Sequence, residues 1–190
     1  MEYNSVEESK SMTTSMPITS TLYEKWLNHL NESTPGKSVH HIPGSETSSH
    51  KVLKQFVVSK PIFRDGQNKS YTAKGSHKGN SYIHFRLGVR ELVGSIQQLF
   101  HSDQIPGTTF FEVALFVPPD PLDGVSDPFN AISTLHYQLL TRPNPPQTIV
   151  INPKHLVGHV AVLTNPPGVF CVEVETFSVA VVHHLGLSRE

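Results

Sequence analysis

The residues best suited to bind a charged ligand lie in one basic, glycine-containing stretch, KSYTAKGSHKGN, at positions 69–80. It could hold a small phosphate or lie against a larger polyanion. A phosphate loop needs two glycines with four residues between them, followed by Lys-Ser or Lys-Thr, because backbone amides must surround the phosphates. Here Gly75 and Gly79 are closer together and Asn80 follows them. The pattern therefore favours a polyanion over a nucleotide.

This stretch belongs to a longer cationic segment. Residues 51–101 carry nine Lys or Arg and two Asp or Glu, a net charge of +7, whereas residues 1–50 carry −3 and residues 102–190 carry −5. Such asymmetry indicates an oppositely charged partner, with a merely solvated surface as the alternative. RNA, an anionic membrane surface and an acidic protein all remain candidates. The predicted polyanion-binding residues are Lys69, Lys74, Lys78, Arg86 and Arg90.

Metal binding and catalysis are not indicated. Of the twelve histidines, His155 and His159 have a spacing that could align two ligands on a helix, but no cysteine or carboxylate lies nearby to complete a tetrahedral set. Cys171, the single cysteine, lies in an apolar stretch typical of a buried thiol, whereas catalytic cysteines prefer electropositive loops. No Gly-x-Ser-x-Gly motif occurs. We predict no metal, no cofactor, no small-molecule substrate and no enzymatic activity.

The elements that must position these cations begin after a polar tail. Residues 1–20 are rich in Ser and Thr and are predicted to be disordered. A short amphipathic helix is predicted at residues 21–30, because its apolar side chains fall on one helical face. This face either packs on the core or docks on a partner or a sister subunit. The residues assigned to oligomer or partner docking are Leu22, Trp26, Leu27 and Leu30.

The patterns from residue 51 onward predict an α+β fold, a single domain whose antiparallel β-sheet is packed by one or two helices. The domain organisation is a tail over residues 1–50 and a core over 51–190. VLKQFVV, SYIHFRL, TTFFEVALFV and QTIVI are predicted strands, with His84 and Arg86 on the solvent side of the second. Apolar residues at helical spacing predict an amphipathic helix over 89–101.

The C-terminal half contains one ambiguous segment and one hairpin. FNAISTLHYQLL, residues 129–140, fits a helix or a strand. HVAVLT and VFCVEVETFSVAVV predict a hairpin with a bulge or second packing surface near Thr176, where one side of the strand changes from polar to apolar. The longest apolar run, 169–182, is interrupted by Glu173 and Glu175. We therefore expect no transmembrane segment, and the N-terminus has no secretory signal pattern.

The order of these elements resembles that of rhabdovirus matrix proteins, including those of plant-infecting members. In residues 51–184, KQFVVSKPIF, VRELVGSIQQLF, TTFFEVALFV and VFCVEVETFSVAVV correspond in order to that family's strand, helix, strand and closing hairpin. The family's Pro-Pro-x-Tyr motif is absent, while Tyr137-Gln138-Leu139-Leu140 has the Tyr-x-x-Leu form.

The resemblance implies a viral structural protein that self-associates and bridges a ribonucleoprotein to an envelope. Its partners would be further copies of itself, a viral nucleocapsid or RNA, and an anionic membrane surface. It would be found in the virion and the host cytoplasm. The alternative is a nucleic-acid-binding viral accessory protein, such as a silencing suppressor or a movement factor.

Overall fold

The computed structural model describes residues 15–33, 52–120, 127–131 and 137–181. No helix within these ranges is both long and apolar enough to cross a membrane. The one α-helix among them, α1, spans Ser20–Ser33. The strands are β1 (Ser15–Pro17), β2 (Phe56–Ser59), β3 (Ile62–Arg64), β4 (Ser70–Thr72), β5 (Tyr82–Leu87), β6 (Arg90–Ser102), β7 (Ile105–Phe116), β8 (Tyr137–Thr141), β9 (Thr148–Ile151), β10 (Leu156–Asn165) and β11 (Thr176–Val181).

The strands form one large antiparallel sheet and a separate β3–β4 hairpin. β6 lies at its centre, with β7 on one edge and both β5 and β2 on the other. The sheet continues from β5 through β10 and β11 to β8, while β9 pairs with β7 and β1 with β2. The predicted α+β class is confirmed at this coarse level, although the sheet dominates and one helix packs on it.

The predicted helix over 89–101 is wrong, because this segment is strand β6. Its register against β7 shifts between Ile96 and Gln98, which leaves Gln97 as an extra residue. In a regular strand the next side chain on the face of Ile96 would be two residues later. With one extra residue it is three residues later, so Ile96 and Leu99 enter the same apolar cluster. A bulged strand buried on both faces therefore imitates helical spacing.

α1 packs onto the chain's own sheet. Trp26 is fully buried, and its ring meets those of Phe100 and Phe110 edge-on, with centroids 5.5 Å away in both cases. The other helix residues assigned to docking join the same apolar cluster, with Leu27 half-buried: Leu22, Leu27 and Leu30. The structure therefore corrects the assignment of these residues to docking on a partner. The apolar face of α1 instead packs on the core, because the sheet supplies the apolar surface that covers it.

The folded part of the chain also begins before the predicted boundary at residue 51. β1 and α1 both precede that boundary, yet β1 pairs with β2 and α1 packs against β9. The rest of the predicted tail, residues 1–14 and 34–51, lies outside the described residues.

The closing hairpin forms between β10 and β11, but its second strand begins only at Thr176. The expected bulge there is replaced by the start of the strand. Phe170 and Cys171 both have φ of 58°, the left-handed region that interrupts a strand. Cys171 consequently lies exposed in a turn, which corrects its predicted burial.

The ambiguous segment contains both a turn and a strand. Pro128–Ala131 is a short 3-10 turn, and β8 begins at Tyr137. Residues 132–136 lie outside the described residues.

Candidate functional site: a cationic face with an adjacent cleft

The candidate site lies on the side of the sheet that carries Tyr82, His84 and Arg86 of β5, here called the Tyr82 face. Alternate side chains of a strand point to opposite faces, so these three lie on one side and Ile83 and Phe85 on the other. Arg86 is exposed as predicted, but His84 is buried, which corrects its expected solvent position. His84 is buried because β8 and β11 cover part of the Tyr82 face. The alternation of apolar and polar residues in β5 therefore did not distinguish a buried face from an exposed one.

One group of cations lies at the Tyr82 end of this face. The Lys74 ammonium lies over the Tyr82 ring, 6.0 Å from its centroid, and the Arg142 guanidinium lies over the Phe177 ring at 5.3 Å. Lys78 is exposed and lies close enough to act electrostatically on Lys74. Lys74, Lys78 and Arg142 are called the cation cluster below.

The chain between Lys69 and Asn80 is held in place by hydrogen bonds. The Lys74 amide donates to the Ile96 carbonyl oxygen of β6 at 2.8 Å. His77 accepts from the Asn80 amide through Nδ1 at 3.1 Å and so caps the 3-10 turn Lys78–Asn80. These bonds fix the positions of Lys74 and Lys78 relative to the sheet.

The electrostatics of this cluster agree with its geometry. Burial lowers the pKa of Lys74, the positive charges of Arg142 and Lys78 lower it further, and Glu175 opposes them. Glu175 also pairs with Arg142 at 3.3 Å. The cluster thus combines half-buried Lys74 with exposed Lys78 and Arg142 and has one carboxylate beside it, so an additional anion would stabilise it.

Arg142 was not among the predicted residues. It follows Lys74 by 68 positions, in the acidic C-terminal third, and only the pairing of β8 with β11 brings it to Phe177 and Glu175. Its place immediately before Pro143, outside any periodic pattern, carried no signal that could have revealed it.

The other predicted cations lie elsewhere. Arg86 and Arg90 are both exposed and lie where β5 turns into β6, about 13 Å along the strand from Tyr82. Lys69 lies on the turn between β3 and β4, whose Ser70 carbonyl contacts His159 at 3.1 Å. Because His159 stacks on Tyr71, at the back of the sheet, Lys69 is separated from the Tyr82 face.

A cleft of about 420 Å³ opens on the Tyr82 face beside Arg86. His84 Nε2 lies 3.3 Å from Glu91 Oε2 at this cleft, and Arg86 donates to the other oxygen of the same carboxylate. The remaining lining combines apolar and amide side chains: Leu92, Val93, Phe116, Pro118, Asn130, Tyr137, Gln138, Leu140 and Val181.

Aromatic side chains connect the cleft to the cation cluster. Phe116 lines the cleft and stacks on Phe177 with centroids 4.5 Å apart. It also contacts Tyr82 at 6.1 Å. Since Lys74 lies over Tyr82 and Arg142 over Phe177, the two cations and the cleft share one continuous aromatic support.

No group of three or more His, Cys, Asp or Glu side chains that could hold a metal ion occurs within the described ranges. His155 and His159 serve other contacts: His155 caps the turn that begins at Asn152, and His159 stacks on Tyr71. The chemistry available on the Tyr82 face is therefore charge pairing, ring stacking and hydrogen bonding.

No protein-family model, curated protein or solved structure matches the chain.

Proposed function

We propose that this protein binds RNA through the Tyr82 face as a non-enzymatic structural component of a ribonucleoprotein. The observation that carries the proposal is the arrangement of cations on one aromatic support, with the cation cluster at one end of the Tyr82 face and Arg86 at the other. Arg90 pairs with Leu87 and therefore lies on the opposite face of the sheet. Phosphates are neutralised by Lys and Arg, while exposed bases interact with aromatic and guanidinium groups.

RNA is the partner favoured by this combination. An anionic membrane would be met by flexible surface cations without a fixed spacing, whereas Lys74 and Arg142 are held over rings at defined positions. Their separation from Arg86 suits an extended chain of phosphates better than a single small anion.

The proposal is tested by the salt dependence of binding to single-stranded RNA. Each phosphate neutralised contributes roughly 0.7 to the logarithmic salt slope, so replacing all three cation-cluster residues by glutamine should flatten the slope by about 2. The matched control is Lys69→Gln, which removes one positive charge from the other side of the sheet and should leave the slope unchanged. An unaltered slope in the triple variant, with intact thermal unfolding, would exclude the Tyr82 face as the RNA site.

The matrix-like form of this function also requires self-association, which one sheet edge favours. β1 ends the order of paired strands, and Met16 and Phe56 are 40% and 52% exposed beside it. Edge strands with apolar neighbours are natural surfaces for another chain. An accessory protein that binds RNA as a discrete small oligomer is the alternative. Light scattering after size-exclusion chromatography, with and without RNA, distinguishes the two, because a matrix-like protein should assemble without RNA.

A further inference from the structure

We propose that the cleft beside His84 receives one unpaired nucleobase of the bound RNA, so that the protein selects single strands over duplexes. This inference rests on the proposed function and specifies the form of RNA and where a base is held. It combines three observations: the size of the cleft, the chemistry of its lining and its place on the same face as the cation cluster.

The size of the cleft fits one planar heterocycle. Its volume of about 420 Å³ lies within the range typical of small-ligand sites, roughly 300–1,000 Å³. A nucleobase with part of its ribose would occupy it, whereas a duplex, whose bases are stacked and paired, could present only its backbone.

The lining offers both interactions that a nucleobase makes. Half-buried Tyr137 provides aromatic surface, while the buried side chains of Phe116, Leu140 and Val181 form an apolar wall of the cleft. Each exposed side-chain amide, on Asn130 and Gln138, offers donors and an acceptor to the edge of a base. Unpaired bases in RNA are recognised by this pairing of stacking with hydrogen bonds to their edges.

The charges around the cleft suit a polynucleotide. Glu91 is the carboxylate in its lining, and it is already paired with Arg86 and with His84. Its charge is therefore compensated. Arg86 lies beside the cleft, and the cation cluster lies about 13 Å away along β5, a distance that about four stacked nucleotides span at 3.4 Å each. Phosphates on one side of the inserted base would thus meet the cation cluster.

The experiment compares an RNA octamer with the same sugar-phosphate backbone lacking its bases, and with the octamer in duplex form. Bases that stack on protein aromatic groups contribute a factor of about ten or more to affinity. The intact single strand should therefore bind about tenfold more tightly than either comparison ligand. The variant Asn130→Ala/Gln138→Ala should lose most of this advantage while keeping its salt slope, because it removes no charge. Gln67→Ala, an exposed amide on the β3–β4 turn, is the control and should bind as the parent does.

The outcomes separate the two proposals. If the strand without bases binds as tightly as the intact one, with the salt slope still dependent on the cation cluster, base capture is excluded and the RNA-binding function stands. If the double variant retains the full preference for bases, the cleft is excluded as their site. If none of the three ligands binds, the proposed function itself fails.

Discussion

At the scale of single residues, two imidazoles meet where α1 docks on the sheet. His29 is buried, and its ring centroid lies 5.4 Å from that of His155. Asn152 Nδ2 lies 3.3 Å from His29 Nε2, and Ser33 Oγ lies 3.5 Å from the same atom. Burial, with a further contribution from His155, lowers the pKa of His29 to about 4. The neutral ring is therefore the form that this packing accommodates.

Acid should destabilise the protein through His29. The unfolded chain takes up its proton near the ordinary value of 6.5 and the folded chain only near 4, so this contribution to stability is present above pH 6.5 and lost as the pH falls toward 4. The loss between pH 7.5 and pH 5 should be about 2 kcal/mol.

Urea unfolding at the two pH values, followed by the fluorescence of Trp26, the only tryptophan, measures it. The charged and titratable neighbours on the packed elements, Lys25, Glu112, Lys154 and His155, are unchanged in the test variant His29→Gln. That variant should lose most of the pH difference. His77→Gln, which alters an exposed ring, should keep it, and equal behaviour of the two variants would contradict the assignment.

Gly94 is a second residue whose identity the packing dictates. A Cβ built there would lie 2.5 Å from the Ala114 carbonyl oxygen and 2.5 Å from Val113 Cγ1 on β7. Backbone cannot yield as a flexible side chain does, so Gly94→Ala should lower the free energy of unfolding by about 1–3 kcal/mol. Gly66→Ala is the control, since its added Cβ meets nothing within 4 Å. Equal stability of both variants in chemical denaturation would show that β6 and β7 separate more easily than this contact implies.

At the scale of elements, the strands that alternate or run apolar could be predicted from sequence, and β6 could not. β5, β7 and β9 were each indicated by local pattern, because SYIHFRL alternates and TTFFEVALFV and QTIVI are runs of mostly apolar residues. In β6 the bulge at Gln97 breaks the period of two, and its side chains enter three apolar clusters that cover both faces of the strand. Only those tertiary contacts distinguish such a strand from a helix.

α1 illustrates an element that could be predicted whose partner could not. The sequence showed its amphipathic face, but a polar linker separates the helix from the sheet. Packing on the core and docking on a partner subunit therefore both satisfied the pattern.

Because Trp26 is fully buried against Phe100 and Phe110, Trp26→Ala should lower the free energy of unfolding by roughly 3–5 kcal/mol. Asn28→Ala, on the exposed side of the helix, should change it by no more than about 0.5 kcal/mol. Denaturant titration monitored by circular dichroism measures both, and an unchanged midpoint for Trp26→Ala would restore the intersubunit role.

At the scale of the whole molecule, the cationic face is a product of topology. The charge excess of residues 51–101 included Lys74 and Lys78, which lie close together, but also Lys69, which the β3–β4 hairpin carries to the other side. Arg142 arrives from the acidic third of the chain through β8. The cleft likewise combines residues from β5, β6, β7, β8 and β11. The linear charge pattern therefore predicts an anionic partner but could not show which cations lie together.

The exposed sheet edge gives a prediction at the same scale. If β1 and Phe56 form the contact between copies, Phe56→Arg should shift assembled protein to monomer, because a charge placed in an apolar contact costs free energy when buried. RNA binding by the monomer should persist, since the Tyr82 face is unaltered. Light scattering measures the first effect and fluorescence anisotropy the second. Lys54→Gln, on the same edge but without a change in apolar surface, serves as the comparison. Assembly that survives Phe56→Arg would place the contact elsewhere.

The position of β6 has a further consequence for how the molecule opens. Between Val93 and Phe100 its residues pair with β7 along one edge. Along the other edge the first part of this segment pairs with β5 and its end pairs with β2. β1 and β9, in contrast, are terminal strands that each pair with one neighbour. Amide protons of β6 should therefore exchange with solvent deuterium only through global unfolding, while those of the terminal strands exchange through local fraying. The segment whose sequence imitates a helix is thus expected to be the last part of the sheet to release its hydrogens.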